Sequence, residues 1–159
     1  MSERAAALAT AFESANNALI ESVERCSTDQ WKATCQEEGW PVAVAAHHVA
    51  ASHTSVFGLI QLVANGQDVP AVTMEMIDAA NAEHAREFAN VTREETLSML
   101  RSEGATITAT LRGYSDEQLD RTAPMAFAGG QPWSANDLIE RILIGHPVQH
   151  GASIKAATA

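Results

Sequence analysis

A chain of 159 residues, 46% of them hydrophobic, can bury the core of one ordinary domain and is not a disordered tail. Twenty acidic residues against ten basic ones give a formal net charge of −10, which speaks against nucleic acid or an anionic membrane surface as partner. Cys26 and Cys35 form no CxxC and cannot frame a disulfide scaffold, and no apolar leader opens the sequence, so a reduced, cytoplasmic setting is expected.

Alanine is abundant, aromatic residues are few and β-branched runs are short, which favours helix. Helix one is predicted over residues 3–25, where Leu8, Phe12, Leu19 and Val23 recur at helical steps with charges between them. The stretch CSTDQWKATCQEEGW breaks that period, and Ser27 or Thr28 can cap a short turn. Helix two starts near Pro41, a favoured first residue, repeats Val42, Val49, Val56 and Val63 every seven positions, and ends at NGQDVP. From Pro41 to Gln67 there is no Asp, Glu, Lys or Arg. Three histidines, hydroxyls and amides interrupt this run, so it reads as a soluble helix with one very apolar side rather than a membrane span.

Helix three is predicted from Thr73 to Gly113, bent at Asn90 where Thr92 and Glu95 form a capping box, with Leu97, Leu100, Ile107 and Leu111 on one stripe. GYSDEQLDRTAPMAFAGGQP reads as a long connector. Ser134 and Asp137 form another capping box, and helix four runs to about residue 156. Four amphipathic helices with polar connectors predict an all-α, up-and-down four-helix bundle, a single domain over residues 1–159. STDQW…GWPVAVAAHH and SDEQL…PWSANDLIERILIGH share an order of polar turn, loop, Trp and histidine-bearing helix, which suits matching roles for helices two and four.

His146 and His150 stand in one row with Leu138, Ile142 and Ile154, so both imidazoles are aimed at the core. An unpaired buried polar group costs on the order of 1–3 kcal/mol, so the pair needs partners. These are carbonyls and hydroxyls, or a divalent ion for which His at i and i+4 is a two-ligand clip. Gly145 and Pro147 predict a kink between them. For a third ligand, His47 lies nearly opposite the valine row and reads as solvated, while His48 and His53 flank the apolar stripe and either could turn inward. His84 of helix three is in line with Ile77, Ala80 and Phe88. Three imidazoles on a divalent ion leave positions open for water or substrate, the catalytic type of site.

Trp40 followed eight residues later by His48, the H-x3-H of His146 and His150, and a Cys shortly before the Trp in QWKATCQEEGWPVAVAAHHVA resemble the DinB/YfiT-like superfamily of helical metalloproteins. That group includes mycothiol-dependent maleylpyruvate isomerases and related thiol transferases. The resemblance covers most of the chain in helix order and spacing. It implies an up-and-down four-helix bundle with a divalent metal (zinc, nickel or iron) on His48, His146 and His150, and so favours His48 over His53. It further implies a low-molecular-weight thiol such as mycothiol or bacillithiol, a small-molecule substrate and a homodimer. Pro147 inside the H-x3-H and the extra His53 depart from the pattern: the first bears on coordination geometry, the second on a substitute or supporting role.

Three functional readings follow. In the first, the chain is a metal-dependent thiol transferase or isomerase, with His84 as general base or ligand orienter; a helix-three histidine bonded to a carbonyl is the alternative for His84. In the second, it is a non-catalytic bundle that holds a metal for stability or stress sensing. In the third it holds no metal, and its core histidines destabilise the fold when they charge in acid. Asn81 lines the same cavity as His84 or faces solvent, and Glu140 reads as solvated. Cys35 reads as a small packing residue more than as a thiolate at the metal mouth. Trp31, Trp40 and Trp133 anchor loop ends, with Trp40 and Trp133 also able to shape a pocket rim.

Overall fold

Local capping chemistry sets where the helices begin in the computed structural model, which describes residues 2–159. The Ser2 hydroxyl accepts from the Ala5 amide and opens α1 (Glu3–Arg25), and Ser27 with Gln30 forms a capping box for α2 (Thr28–Lys32). Pro41 precedes α3 (Val42–Ala64), and Thr73 caps α4 (Met74–Glu87). The Thr92–Glu95 box opens α5 (Arg93–Arg112), and a Ser115–Gln118 box opens α6 (Asp116–Asp120). An antiparallel hairpin follows, β1 (Thr122–Met125) and β2 (Gln131–Ser134), with Thr122 opposite Ser134 and Met125 opposite Gln131. Gly129 and Gly130 take φ values of +65° and +81° in its turn. The Ser134–Asp137 box then opens α7 (Ala135–Leu138), which passes through a π-helical stretch (Ile139–Ile144) into α8 (Gly145–Ala157).

Two expectations are refined here. The third predicted helix is not bent but broken: α4 ends at Glu87, the Phe88 amide caps it by donating to the His84 carbonyl, and Thr92 caps a new helix. The long connector carries α6 and the hairpin. The all-α four-helix bundle stands, and its packing order is specific. α1 and α3 each lie along both α5 and α8, so α1 and α3 stand diagonally across the bundle although they are its first two long helices.

The core has two apolar clusters stacked along the bundle axis. One joins Leu8, Phe12, Phe57, Ile60, Ile107, Leu111 and Leu143; the other joins Leu19, Val23, Val42, Val49, Leu100 and Ile154. Between them runs a polar layer: Asn16 sits between Phe12 and Leu19 on α1, His53 between Ala50 and Phe57 on α3, and Gly104 between Leu100 and Ile107 on α5. On the last helix the row drawn through Leu138, Ile142 and His146 is displaced. The π-helical stretch widens one turn, so Ile139 and Leu143 are buried while Ile142 is only half-buried. Pro147 has no N–H for the carbonyl four residues back, and the wide turn just before it takes up the crowding of its ring. Among the described residues no helix is long and apolar enough to cross a membrane.

Candidate metal centre

α3 brings His48 to the bundle interior, and α8 brings His146 and His150, one turn apart, to meet it. Each of the three offers a ring nitrogen, and these nitrogens all lie within 4.8 Å of one another. His48 Nε2 is 3.1 Å from His146 Nε2. The rings stand edge to face, with centroids 4.6–5.3 Å apart. Two imidazole nitrogens on one divalent ion, each bonded at about 2.0–2.1 Å, stand about 2.9–3.4 Å apart, so the donor set fits such an ion in kind and the His48–His146 pair fits it in span.

Protonation is consistent with this. Burial, and then the neighbouring imidazoles, push His48 down to about 4 and His146 down to about 3, so both are neutral near pH 7 with lone pairs to offer. His150 turns its Nδ1 to the Glu38 carboxylate at 2.7 Å, and Ser153 Oγ donates to the other Glu38 oxygen at 2.6 Å. Desolvation pushes Glu38 upward. Hydrogen bonds from Ser153, its own amide and His150 outweigh that and hold it below the usual carboxylate range.

The DinB superfamily model matches residues 11–154. The chain belongs to the DinB superfamily. No curated protein matches the sequence. Among solved structures, this DinB chain superposes on YfiT from Bacillus subtilis, described as a probable metal-dependent hydrolase with an unusual four-helix bundle topology. The TM-score is 0.81 at 20% identity, over 99% of this chain and 87% of that one. It also superposes on a histidine-to-alanine mutant of the mycothiol-dependent maleylpyruvate isomerase, with a TM-score of 0.74 at 13% identity, over 97% of this chain and 63% of that one. At these identities the two structures establish the fold.

The remaining candidates of this DinB protein sort clearly. His53 stands apart from the three: its Nε2 meets Asn16 Oδ1 at 2.9 Å, and the Asn16 amide donates to the Leu100 carbonyl at 2.9 Å. His47, read as solvated, is 4% exposed. The valine period assumes one buried stripe, but α4 lies against the other side of α3, and residues 42–50 are buried all round. His47 Nδ1 is 3.2 Å from His84 Nε2, and Phe88 lies 4.1 Å from the His47 ring. His84 therefore has an imidazole partner instead of a carbonyl, and its ring stands 5.5 Å from that of His48. Desolvation outweighs the Glu87 charge and lowers His84, leaving it neutral near pH 7.

Trp40 packs edge-on to His48 at 5.2 Å. Trp133 instead packs on Phe127 and under the Arg141 guanidinium. Trp31 donates its indole N–H to the Val91 carbonyl, tying α2 to the α4–α5 turn. Cys35 is fully buried and desolvation raises its thiol, which fits a packing residue. Asn81 is half-buried, and Glu140 is exposed and bonded to Asn136. Glu38 is the contact that periodicity missed: it lies in a loop, where no period applies, and only its place two residues before Trp40 hinted at it.

Proposed function

We propose that this DinB protein holds one divalent cation on His48, His146 and His150 and acts as a metal-dependent transferase or isomerase of a small molecule, with a low-molecular-weight thiol as cofactor. The observation that carries the reading is the convergence of three imidazoles, two of them neutral, on one point. A cation bound there supplies Lewis acidity, which favours a thiolate over a thiol or draws charge onto a carbonyl oxygen.

The chain's own residues supply the rest. His84, neutral and beside His48, is positioned to take a proton from a group bound next to the cluster, and His47 at its Nε2 fixes the direction of its ring. Trp40 covers one side of His48 and limits water there. His47 and Phe88, with Val91, Glu95 and Met99, line a crevice of about 580 Å³ that has room for a small molecule. The likeness to a mycothiol-dependent isomerase supports the thiol, and that to a probable metal-dependent hydrolase supports the metal. A single domain in a reduced compartment suits two free, buried cysteines.

Elemental analysis of the purified protein tests the metal. About one equivalent per chain, lost in His146→Ala, is expected for a three-histidine site. Equal loading of wild type and variant removes the site. For the chemistry, the cobalt-loaded protein is titrated with small thiols. A new charge-transfer absorption is expected, and none with any thiol leaves a bundle that only binds metal.

A further inference from the structure

Glu38 is a charged residue bonded to the cluster, and its placement is built rather than incidental. The Glu38 and His150 side chains are 11% and 9% exposed, so this is not a solvated surface pair. Both carboxylate oxygens are occupied, one by His150 Nδ1 and the other by Ser153 Oγ from the same side of α8. The loop that carries Glu38 is closed by backbone hydrogen bonds: the Cys35 amide to the Trp40 carbonyl at 2.8 Å, Gly39 to Cys35 at 2.9 Å, and Val42 to Ala33 at 2.8 Å. Gly39, next to Glu38, has φ +70°, a conformation that a residue with a Cβ rarely takes. The sequence thus uses a tight turn to hold one carboxylate against one histidine.

A neutral imidazole has two tautomers, and a carboxylate accepting from Nδ1–H selects the one whose Nε2 carries a lone pair. We infer that Glu38 is a positioning residue, which fixes His150 in the tautomer and ring rotation that present Nε2 to the point where His48 and His146 meet. This rests on the three-histidine metal reading and extends it to the loop between α2 and α3. Glu38 touches no reacting group: with both oxygens engaged, it acts through His150. Its negative charge also lies one imidazole away from the bound cation, where it offsets part of the positive charge.

Two measurements test this. In metal-free protein with 15N-labelled histidine, long-range proton–nitrogen correlation reads the His150 tautomer. The proton is expected on Nδ1 in wild type and largely on Nε2 in Glu38→Ala. Zinc affinity is then measured by competition with a chromogenic chelator, with metal-free melting curves to verify folding. Glu38→Ala is expected to weaken zinc binding about 10–100-fold. Glu38→Gln keeps an oxygen for the Nδ1–H and is expected to recover most of that loss. Ser153→Ala, which frees the second carboxylate oxygen, is expected to cost about threefold.

A proton on Nε2 in wild type, or unchanged zinc affinity in Glu38→Ala, overturns the inference. Should Glu38→Ala fail to fold, the wild-type tautomer and the zinc affinity of Ser153→Ala decide by the same criteria. Zinc held by wild type, lost in His146→Ala and kept in Glu38→Ala overturns the role of Glu38 alone. Zinc held equally by wild type and His146→Ala overturns the metal reading and this inference with it.

Discussion

His48 and His53 lie on one helix, both buried and both pushed down to about 4 by desolvation first, yet their surroundings make opposite demands. The Asn16 amide is committed to the Leu100 carbonyl, so its oxygen can only accept, and His53 Nε2–H completes that bond with no ligand. His48 Nε2 instead faces another imidazole nitrogen, itself neutral, with a third imidazole beside them. Either one proton is shared between two nitrogens there or a cation takes both lone pairs. Burial and a depressed pKa therefore do not distinguish a core histidine from a ligand. What distinguishes them is whether a third ring nitrogen joins the facing atom, as His150 does at His48 and His146 and, among the described residues, nothing does at His53.

The widest separation of the two environments is expected in metal binding. His146→Ala removes one of the converging nitrogens and is expected to lower zinc affinity beyond the 10–100-fold typical of outer partners. His53→Gln is expected to leave it unchanged. Denaturant unfolding provides the check: zinc at a hundred times its Kd adds about 2.7 kcal/mol to the wild type, and the same concentration adds far less to His146→Ala. Loss of zinc stabilisation in His53→Gln instead would merge the two environments.

The second difference is in pH. His53 has an ordinary value near 6.5 when unfolded and about 4 when folded, so the unfolded chain binds more protons between these values. Its contribution is fully present above pH 6.5 and is lost as pH falls through 4, about 3 kcal/mol in all. His53→Gln keeps a donor for Asn16 but has nothing to titrate. In metal-free protein, the stability lost between neutral pH and pH 4 is expected to be smaller by about that amount in the variant than in wild type, read from urea unfolding at each pH. Parallel losses would mean that His53 does not carry this acid sensitivity.

How much of this was legible in the sequence follows from the range of each interaction. The capping boxes at Thr92 and Ser134 are complete within four residues, so those helix starts were readable. The two motifs, Trp40 to His48 and His146 to His150, pointed to the family and to the three residues that the fold brings together. Helical periodicity failed where its assumption of a single buried stripe fails, at His47, since α3 is covered on more than one side near its start. It also could not separate His48 from His53, because both flank the stripe and their partners come from α8 and α1. Glu38 was unreadable for a different reason: its position depends on a tight turn at Gly39 and on a helix more than 100 residues away.

The smallest effect is expected at Gly104, and it bears on the satisfied side of the comparison. A helix interior seldom gains from glycine, which costs about 1 kcal/mol relative to alanine. Here a Cβ at position 104 would meet Asn16 Nδ2 at 2.2 Å and Cγ at 3.2 Å. The amide cannot swing away without giving up both the Leu100 carbonyl and His53. Gly104→Ala is thus expected to destabilise the protein by about 1–3 kcal/mol despite the better helix former, because overpacking and a loosened hydrogen bond outweigh the gain in propensity. Asn16→Ala already lacks the obstructed group, so adding Gly104→Ala to it is expected to cost nothing further and to recover the propensity gain. A double-mutant cycle by urea unfolding reads this coupling. Additive losses would mean that Gly104 serves helix packing in general and not the Asn16–His53 pair, and the polar layer would then lose its account of why α5 is pared to a bare backbone at that height.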